Sequence, residues 1–274
     1  MADPRPIGIF DSGVGGLTVL RAIRETLPHE PTIYLADLYH FPYGPRYQDE
    51  VRGFSFDIIR YLETRDVKLV VIACNTATAA ALNQAREHFE VPIVGVIRPG
   101  AQAAVETTKN NRIGVIATEG ATRSQEYLHA IKDLDPMIGV YQKACPELVE
   151  IVEQGDADSP RAEAALKRDL ADIVRVGADT LVLGCTHYPL LKPAIGRVYP
   201  GAFELIDSAS TTAAKVERTL DHSRLRADGD EPRHEVLVTA VPEHFNQIAS
   251  NLFGETIAAE EVRIWEEQKA PHVT

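Results

Sequence analysis

Short apolar and β-branched runs alternate with longer stretches of helical periodicity along the whole chain. Most of these runs carry apolar residues on both faces, which is typical of parallel strands covered by helices on either side. The predicted strands are 6–10, 32–36, 68–73, 92–96, 112–117, 137–141, 179–184, 203–206 and 236–240. The predicted helices are 16–27, 47–64, 76–89, 98–109, 121–133, 146–154, 160–176, 189–198 and 243–254. This alternation predicts a doubly wound α/β architecture, interrupted late in the chain by a charged surface loop over 221–235.

Two pairs of segments repeat along the chain at similar spacings. PIGIFDSG and RIGVIATEG share an Ile-Gly pattern, and Ile113 follows Ile7 by 106 positions. VVIACNT and LVLGCTH share a cysteine at the end of an apolar run, and Cys185 follows Cys74 by 111 positions. Parallel strands resemble one another in any case, but a cysteine repeated at a strand end favours an internal duplication. The sequence therefore predicts two similar α/β halves.

The composition narrows the classes of function. With 274 residues and a net charge of -12, the chain has ample core volume but lacks the clustered Lys and Arg that bind nucleic-acid phosphates. We therefore expect no nucleic-acid partner, and local dipoles rather than the overall field must hold any anionic substrate. No apolar run approaches the roughly 20 residues that span a bilayer, and the N-terminus MADPRPIGIF lacks the pattern of a signal peptide. With three cysteines in no CxxC motif, these features predict a cytoplasmic protein without a membrane partner.

Two of the three cysteines lie where a predicted strand meets a predicted helix. Cys74 ends the run KLVVIA and precedes an alanine-rich helix for which Asn75 or Thr76 is the expected N-cap. Cys185 occupies the equivalent position, and Pro189 begins the helix after it. Ligands of open α/β sheets bind at this edge, and the positive end of a helix dipole favours a thiolate there. A lone cysteine is often only a small buried apolar residue, but two at equivalent strand ends favour a chemical function.

Stereochemical inversion accounts for two separated thiols better than the alternatives do. A zinc site needs three or four ligands, and only His187 or His40 could join the two cysteines. A redox dithiol usually has CxxC spacing, which is absent. One thiolate can instead remove a proton from one face of a carbon while the other thiol returns a proton to the opposite face, because a reference pKa of about 8.5 makes both states accessible. Cys145 lacks comparable polar neighbours and is predicted to be structural.

Other polar residues follow the predicted strands at the same edge of the sheet. Asp11 and Ser12 begin the turn DSGVGG, whose backbone N–H groups could meet an anion. A dinucleotide-binding loop is a poor interpretation of this turn, even with Asp37 after the second strand, because Thr18 stands where GxGxxG requires its third glycine. PYG at 42–44 has the composition of an ordinary Pro-Gly turn.

Three residues are candidate helpers of the two thiols. His187 is next but one to Cys185 and could polarise it, while Asp11 is the candidate for the same role near Cys74. Glu153 lies near the end of a predicted helix and could orient His187, although a solvated surface glutamate is the usual occupant of such a position.

Taken together, these motifs resemble the glutamate racemases over most of the chain. ACNTAT and GCTHYPL, in this order and at this separation, are highly specific, whereas either alone indicates only the wider family of two-cysteine amino-acid racemases. The matching segments are IGIFDSGVGGLTVL, YLADLYHFPYG, VVIACNTATA, VPIVGVIRPGA, IGVIAT, ACPELVEIVEQG, LVLGCTHYPLL and IDS.

The resemblance implies two pseudo-symmetric α/β lobes with mostly parallel sheets and an active site in the cleft between them. The first lobe would comprise residues 1–97 completed by 209–274, and the second residues 98–208. It further implies a homodimer that racemizes L-glutamate and D-glutamate without pyridoxal phosphate, any other cofactor or a metal. The product would be D-glutamate for peptidoglycan synthesis.

The resemblance also implies roles for single residues. Cys74 would deprotonate the D-enantiomer and Cys185 the L-enantiomer. The positions of the assisting groups are matched by Asp11, His187 and Glu153. The implied substrate contacts are Asp11, Ser12, Tyr43, Gly44, Asn75, Thr76, Thr118, Thr186 and His187.

The chain departs from the family pattern over 117–127, where ATEGATRSQEY stands in place of GTxGTxxSxxY. Ala117 and Ala121 are the differing positions, and the neighbouring Thr118 and Thr122 could cap a helix or contact substrate. Two alternatives to glutamate racemization remain open at this point. One is racemization of aspartate or another small amino acid, and the other is a flavodoxin-like nucleotide- or metal-binding module with structural cysteines.

Overall fold

The computed structural model describes residues 2–229, 231–241 and 243–265. Within these ranges, ten strands form a six-stranded and a four-stranded parallel sheet, connected and covered by helices. The strands are β1 (Ile7–Asp11), β2 (Thr32–Ala36), β3 (Leu69–Ile72), β4 (Ile93–Gly95), β5 (Arg112–Ala117), β6 (Gly139–Ala144), β7 (Thr180–Gly184), β8 (Glu204–Asp207), β9 (His234–Val238) and β10 (Glu260–Glu261). The helices are α1 (Leu17–Thr26), α2 (Gln48–Thr64), α3 (Asn75–His88), α4 (Ile97–Thr107), α5 (Glu119–Ser124), α6 (Glu126–Leu134), α7 (Pro146–Glu153), α8 (Pro160–Arg175), α9 (Lys192–Val198), α10 (Ser208–Ser223) and α11 (Glu243–Phe253). A 3-10 turn, Tyr188–Leu191, precedes α9.

The two sheets repeat one strand order. The larger sheet runs β10-β9-β2-β1-β3-β4 and the smaller one β6-β5-β7-β8, so the last four strands of the larger correspond in order to the four of the smaller. In the larger sheet, β3, which precedes Cys74, pairs in parallel with β1. In the smaller sheet, β7, which precedes Cys185, pairs in parallel with β5. The predicted fold, two pseudo-symmetric α/β lobes with parallel sheets, is confirmed.

Apolar residues on both faces of the strands explain why helices cover both faces of each sheet. Along β1, Ile9 packs into the core on the side of α1 and α10, whereas the next residue, Phe10, packs into the core on the side of α2 and α3. Along β7, Leu183 faces α8 and Val182 faces α4 and α6. Because successive side chains of a strand point to opposite faces, continuous apolar runs require helices on both.

The helix α10 was not predicted and is the main difference from the sequence analysis. Its N-cap is Asp207, whose Oδ1 accepts the N–H groups of Ala209 and Ser210 at 2.9 and 3.3 Å. The helix packs on α1 and α4. Its first residues, SASTTAA, have a serine- and threonine-rich composition that is typical of loops, and packing against two other helices outweighs that local preference.

Three smaller predictions need correction. The single helix predicted over 121–133 is two helices, because Gln125 adopts a left-handed conformation with φ of 59°. The strand predicted at 137–141 begins and ends later, at 139–144. The loop predicted over 221–235 is shorter, since α10 occupies its start and β9 its end, and Arg226 within it forms ion pairs with two acidic residues of α10.

The last described part of the chain extends the larger sheet. There β9 pairs with β2, and β10 pairs with β9. The lobe boundaries at 97/98 and 208/209 stay a prediction. Of the helices in the described ranges, none is long and apolar enough to cross a membrane.

Candidate active site

A cavity of about 370 Å³ lies where the carboxyl ends of the two sheets face each other. The segments that follow β1, β3, β5 and β7 all contribute to its wall, as expected for a ligand site of open α/β sheets. Eleven of the predicted site residues line it: Ser12, Tyr43, Gly44, Cys74, Asn75, Thr76, Thr118, Glu153, Cys185, Thr186 and His187. The cavity is also lined by residues that the sequence did not indicate, which are Phe41, Pro42, Pro45, Glu119, Pro146, Val149, Glu150 and Gln154.

Cys74 is itself the N-cap of α3, so the prediction that Asn75 or Thr76 caps this helix was wrong. Its Sγ accepts the backbone N–H of Ala77 at 3.5 Å and lies 3.7 Å from the hydroxyl oxygen of Ser12. Burial raises the pKa of Cys74 to about 12, the negative charge of Asp11 adds to the rise, and the N–H of Ala77 opposes it. The thiol is therefore protonated near neutral pH.

Cys185 has a different partner. Its Sγ lies 3.6 Å from Nδ1 of His187, and Nε2 of the same ring lies 2.6 Å from Oε1 of Glu153, the last residue of α7. Burial alone would lower the pKa of His187, but hydrogen bonds and charge interactions with Cys185 and Glu153 raise it to about 10. These three residues form a continuous hydrogen-bonded row, with a cationic imidazole between sulfur and carboxylate.

Asp11 lies behind the cavity wall rather than in it. The carboxyl group is fully buried; Oδ2 accepts the N–H groups of Gly13 and Gly16 at 3.0 and 3.1 Å, and Oδ1 accepts the hydroxyl of Thr186 at 3.4 Å. Burial raises the pKa of this carboxyl, while the charge of His187 and the two N–H donors oppose the rise. The direct side-chain partner of Cys74 is Ser12, and Asp11 acts on that sulfur through its charge.

The glycines of DSGVGG are required by close approach within the protein. A Cβ at Gly16 would overlap Asp11 and lie 2.6 Å from the hydroxyl of Tyr34. A Cβ at Gly15 would overlap the hydroxyl of Thr186 and lie 2.7 Å from Nδ1 of His187. The turn thus brings β1 against the segment that carries Cys185, which accounts for its glycines without a bound nucleotide.

The loop after β2 is held by one buried carboxylate, that of Asp37. It accepts the hydroxyl of Tyr43 at 2.5 Å and the hydroxyl of Thr239 at 2.8 Å, and Nδ1 of His40 lies 3.0 Å from it. Because the hydroxyl of Tyr43 points to Asp37, the contribution of this residue to the cavity comes from the rest of the residue. The PYG segment is therefore more than an ordinary surface turn. An acidic residue directly after a buried strand was the signal for this network in the sequence.

Contacts between the two halves close the cavity on one side. The N–H of Gly120 donates to the carbonyl of Gly44 at 2.8 Å, and the hydroxyls of Thr76 and Thr118 lie 2.8 Å apart. Thr118 also caps α5 through the N–H of Ala121 at 3.3 Å, as predicted. The predicted site residues thus come together from both halves, although long stretches of sequence separate them.

The described wall of the cavity contains no Lys or Arg, and its carboxylates are Glu119, Glu150 and Glu153. Hydroxyls, side-chain amides, backbone N–H groups and His187 are the groups that could bind an anion there. Across the described residues, no cluster of three or more His, Cys, Asp or Glu could hold a metal ion. Cys145 is absent from the wall; it lies fully buried in the core between α7 and α8, and burial raises its pKa.

The family model described as Asp/Glu/Hydantoin racemase matches residues 7–216. The chain belongs to this family. A glutamate racemase from Exiguobacterium sibiricum is 41% identical over 266 residues, which are 97% of this chain and 98% of that protein. The resemblance inferred from the two cysteine motifs is therefore confirmed over most of the chain.

Solved structures agree with the sequence comparisons. The crystal structure of a glutamate racemase isoform from Bacillus anthracis has a TM-score of 0.91 at 39% identity and covers 94% of this chain and 97% of that one. The crystal structure of glutamate racemase from Francisella tularensis in complex with D-glutamate has a TM-score of 0.90 at 30% identity, with coverages of 96% and 98%.

Proposed function

We propose that the chain is a glutamate racemase in which Cys74 and Cys185 exchange protons with opposite faces of the substrate Cα. One observation carries this proposal: the two cysteines that follow equivalent strands of the two sheets line a single cavity, whereas the third cysteine does not. Two proton-transfer groups on opposite sides of one carbon are what inversion of configuration requires. A flavodoxin-like binding module would need no such pair.

Glutamate is the substrate that the relatives support, since those described above are named glutamate racemases and one was solved with D-glutamate. Because the described residues of the wall include no Lys or Arg, the two carboxylates of glutamate would be held by neutral donors and by the cationic His187. The groups proposed to bind them are Ser12, Tyr43, Gly44, Asn75, Thr76, Thr118, Thr186 and His187. Asp11, buried behind the wall, supports this set through the hydroxyl of Thr186.

The two thiols differ in a way that suits conversion of L-glutamate to D-glutamate. Cys185, as a thiolate beside a protonated His187, takes the proton from Cα and becomes a thiol, and the electron pair stays on Cα and its carboxylate. Cys74, held as a neutral thiol, then donates its proton to the opposite face. The reaction leaves a thiol at Cys185 and a thiolate at Cys74, which is the state that accepts D-glutamate for the reverse reaction.

The helpers have distinct parts in this scheme. Glu153 orients His187 and stabilises its positive charge. Asp11 raises the affinity of Cys74 for its proton, and Ser12 and the N–H of Ala77 stabilise the thiolate of Cys74 once it forms. Because the α-hydrogen of an amino acid is far less acidic than a thiol, donors aimed at the substrate carboxylate and exclusion of water supply the remaining stabilisation. No step of this scheme uses a cofactor or a metal.

Four finer points belong to the same proposal. We propose lobes of 1–97 with 209–274 and of 98–208, a homodimer, a place in the cytoplasm, and supply of D-glutamate to peptidoglycan synthesis. Three buried free cysteines suit a reducing compartment. Light scattering after size-exclusion chromatography tests the dimer.

The proposal is tested by incubating the purified protein with L-glutamate in D₂O without added cofactor. We expect loss of optical rotation and deuterium at Cα. Cys74→Ser and Cys185→Ser abolish racemization, and Cys185→Ser, when incubated with D-glutamate as the starting substrate, retains deuterium exchange into it through Cys74. Cys145→Ser is the matched control and keeps wild-type rates, because that residue is outside the cavity wall. Activity that requires pyridoxal phosphate, or that survives Cys74→Ser unchanged, would contradict the mechanism; faster turnover of L-aspartate would contradict the substrate.

A further inference from the structure

Tyr127 contacts the segments of both catalytic cysteines without lining the cavity. It lies on α6 and is fully buried. Its hydroxyl donates to Oδ1 of Asn75 at 2.7 Å, and Asn75 follows Cys74 and lines the cavity. This hydrogen bond joins α6, which lies between β5 and β6 in the chain, to the segment that follows β3, so it connects the two halves.

The ring of Tyr127 lies against the other cysteine segment. A Cβ added to Gly184, the residue before Cys185, would lie 3.0 Å from Cε2 of the Tyr127 ring. The ring therefore packs on the backbone that leads into Cys185. One side chain thus contacts residues adjacent to each of the two proton-transfer groups.

The direction of the Tyr127 hydrogen bond determines how the Asn75 amide is oriented. A phenol that meets Oδ1 must be the donor, because that oxygen is an acceptor only. Burial raises the pKa of Tyr127 above its usual value, so the phenol keeps its proton. With Oδ1 engaged, the amide presents its N–H groups elsewhere; Nδ2 lies 3.5 Å from the hydroxyl oxygen of Ser208, and Asn75 lines the cavity.

We infer that Tyr127 is a positioning residue that holds the Asn75 amide with its N–H toward the substrate carboxylate. The inference rests on the proposed function, in which Asn75 binds that carboxylate. Without the phenol, the amide is free to rotate and present its oxygen, which repels a carboxylate. The rotation weakens binding of substrate and of transition state alike, so it raises KM more than it lowers kcat.

The test is Tyr127→Phe, which removes the hydroxyl and keeps the ring against Gly184. We expect KM to rise about fivefold for both enantiomers, with kcat within about twofold, because the neutral hydrogen bond to Asn75 is lost. The change in kcat/KM is equal in the two directions, since the equilibrium constant between enantiomers is one. Tyr199→Phe is the control: its hydroxyl donates to the carbonyl of Lys167, away from the cavity, and we expect unchanged KM.

A double-mutant cycle separates positioning through Asn75 from other effects. If Tyr127 acts through Asn75, the double variant Tyr127→Phe with Asn75→Ala has the same KM as Asn75→Ala alone. In the double variant, additive increases in KM would overturn the inference. In Tyr127→Phe alone, an unchanged KM, a fall in kcat at constant KM, or failure of the chain to fold would also overturn it. Inactive wild-type protein would instead contradict the proposed function, so the two failures are distinguishable.

Discussion

Glu153→Gln tests whether the carboxylate behind His187 assists the proton transfer at Cys185. The wild-type carboxylate lies 2.6 Å from Nε2 of a cationic imidazole. The amide has nearly the same shape and can still accept a hydrogen bond, but it carries no charge. The substitution therefore removes the charge interaction while it preserves the geometry, and it makes His187 less stable as a cation.

The expected loss of kcat/KM depends on the difference in strength between a charge-assisted and a neutral hydrogen bond. Two unit charges 2.6 Å apart attract by about 6 kcal/mol at an effective dielectric of about 20, before desolvation is counted. Glu153 is partly exposed, with 21% of its side chain accessible, and the amide keeps part of the interaction. The net loss of transition-state stabilisation is therefore closer to the difference in free energy between a charged and a neutral hydrogen bond, about 1–2 kcal/mol. This predicts a fall in kcat/KM of roughly 5- to 30-fold.

The assay uses glutamate carrying deuterium at Cα in each configuration. Since kcat/KM must fall equally in both directions, the isotope effect identifies the impaired step. Slower transfer at Cys185 makes the removal of deuterium from L-glutamate more rate-limiting, so its isotope effect on kcat/KM increases. The isotope effect for D-glutamate decreases, because the step at Cys74 is unchanged and becomes relatively faster.

Glu147→Gln is the control for this experiment. Glu147 lies on the same helix, α7, but it forms ion pairs with Arg161 and Arg168 at 3.3 and 3.1 Å and is absent from the cavity wall. We expect kcat/KM within twofold of wild type. Isotope effects in Glu153→Gln that are unchanged from wild type for both enantiomers, or a kcat/KM within twofold of wild type, would refute the reasoning.

Two further predictions concern the stability of the folded chain. Gly15→Ala places a Cβ on the hydroxyl of Thr186, so it should lower the melting temperature and reduce kcat/KM at least tenfold. Gly53→Ala is the control: its Cβ would meet open space on α2, and it should stabilise the folded chain by about 0.5–1 kcal/mol. Calorimetry and the racemase assay compare the two variants. The pKa of His187 is raised from 6.5 to about 10, so its charged form stabilises the fold fully below pH 6.5, and this contribution is lost as pH rises toward 10. Urea unfolding between pH 7 and 9 should show a loss of stability that is smaller in His187→Asn than in the wild type; the contribution of thiols that titrate in the unfolded chain is common to both proteins, so an identical slope would contradict the assignment.

Part of the candidate site was predictable from sequence because it depends on strand ends. Cys74, Thr118 and Cys185 each follow an apolar run, and parallel strands place their carboxyl ends at one edge. The pairing of Glu153 with His187 was a weaker prediction, because the default for such a glutamate is solvent exposure. The two side chains meet because α7 packs against the segment that follows β7, and that contact is not local in sequence.

Other parts of the site were not predictable, for reasons that lie in packing. Asp11 was expected at the substrate, but three hydrogen-bond donors hold its carboxyl behind the wall. Asp37 was considered only as part of a dinucleotide motif, and its partner Thr239 lies some 200 positions further along the chain. The helix α10 was missed because its first residues are rich in Ser and Thr, and the surfaces of α1 and α4 that stabilise it are not local in sequence.

By itself, the sequence determined the alternation of strands and helices, the duplication, and the two thiols at equivalent strand ends. These features follow from short-range periodicity and from where an apolar run stops, both of which depend on neighbouring residues. Only the tertiary structure decided that Ser12 is the direct partner of Cys74, that His187 lies between Cys185 and Glu153, and that Tyr127 joins the two cysteine segments. Such contacts depend on how two sheets are oriented across a cavity, and burial then changes the proton affinity of the groups enclosed there.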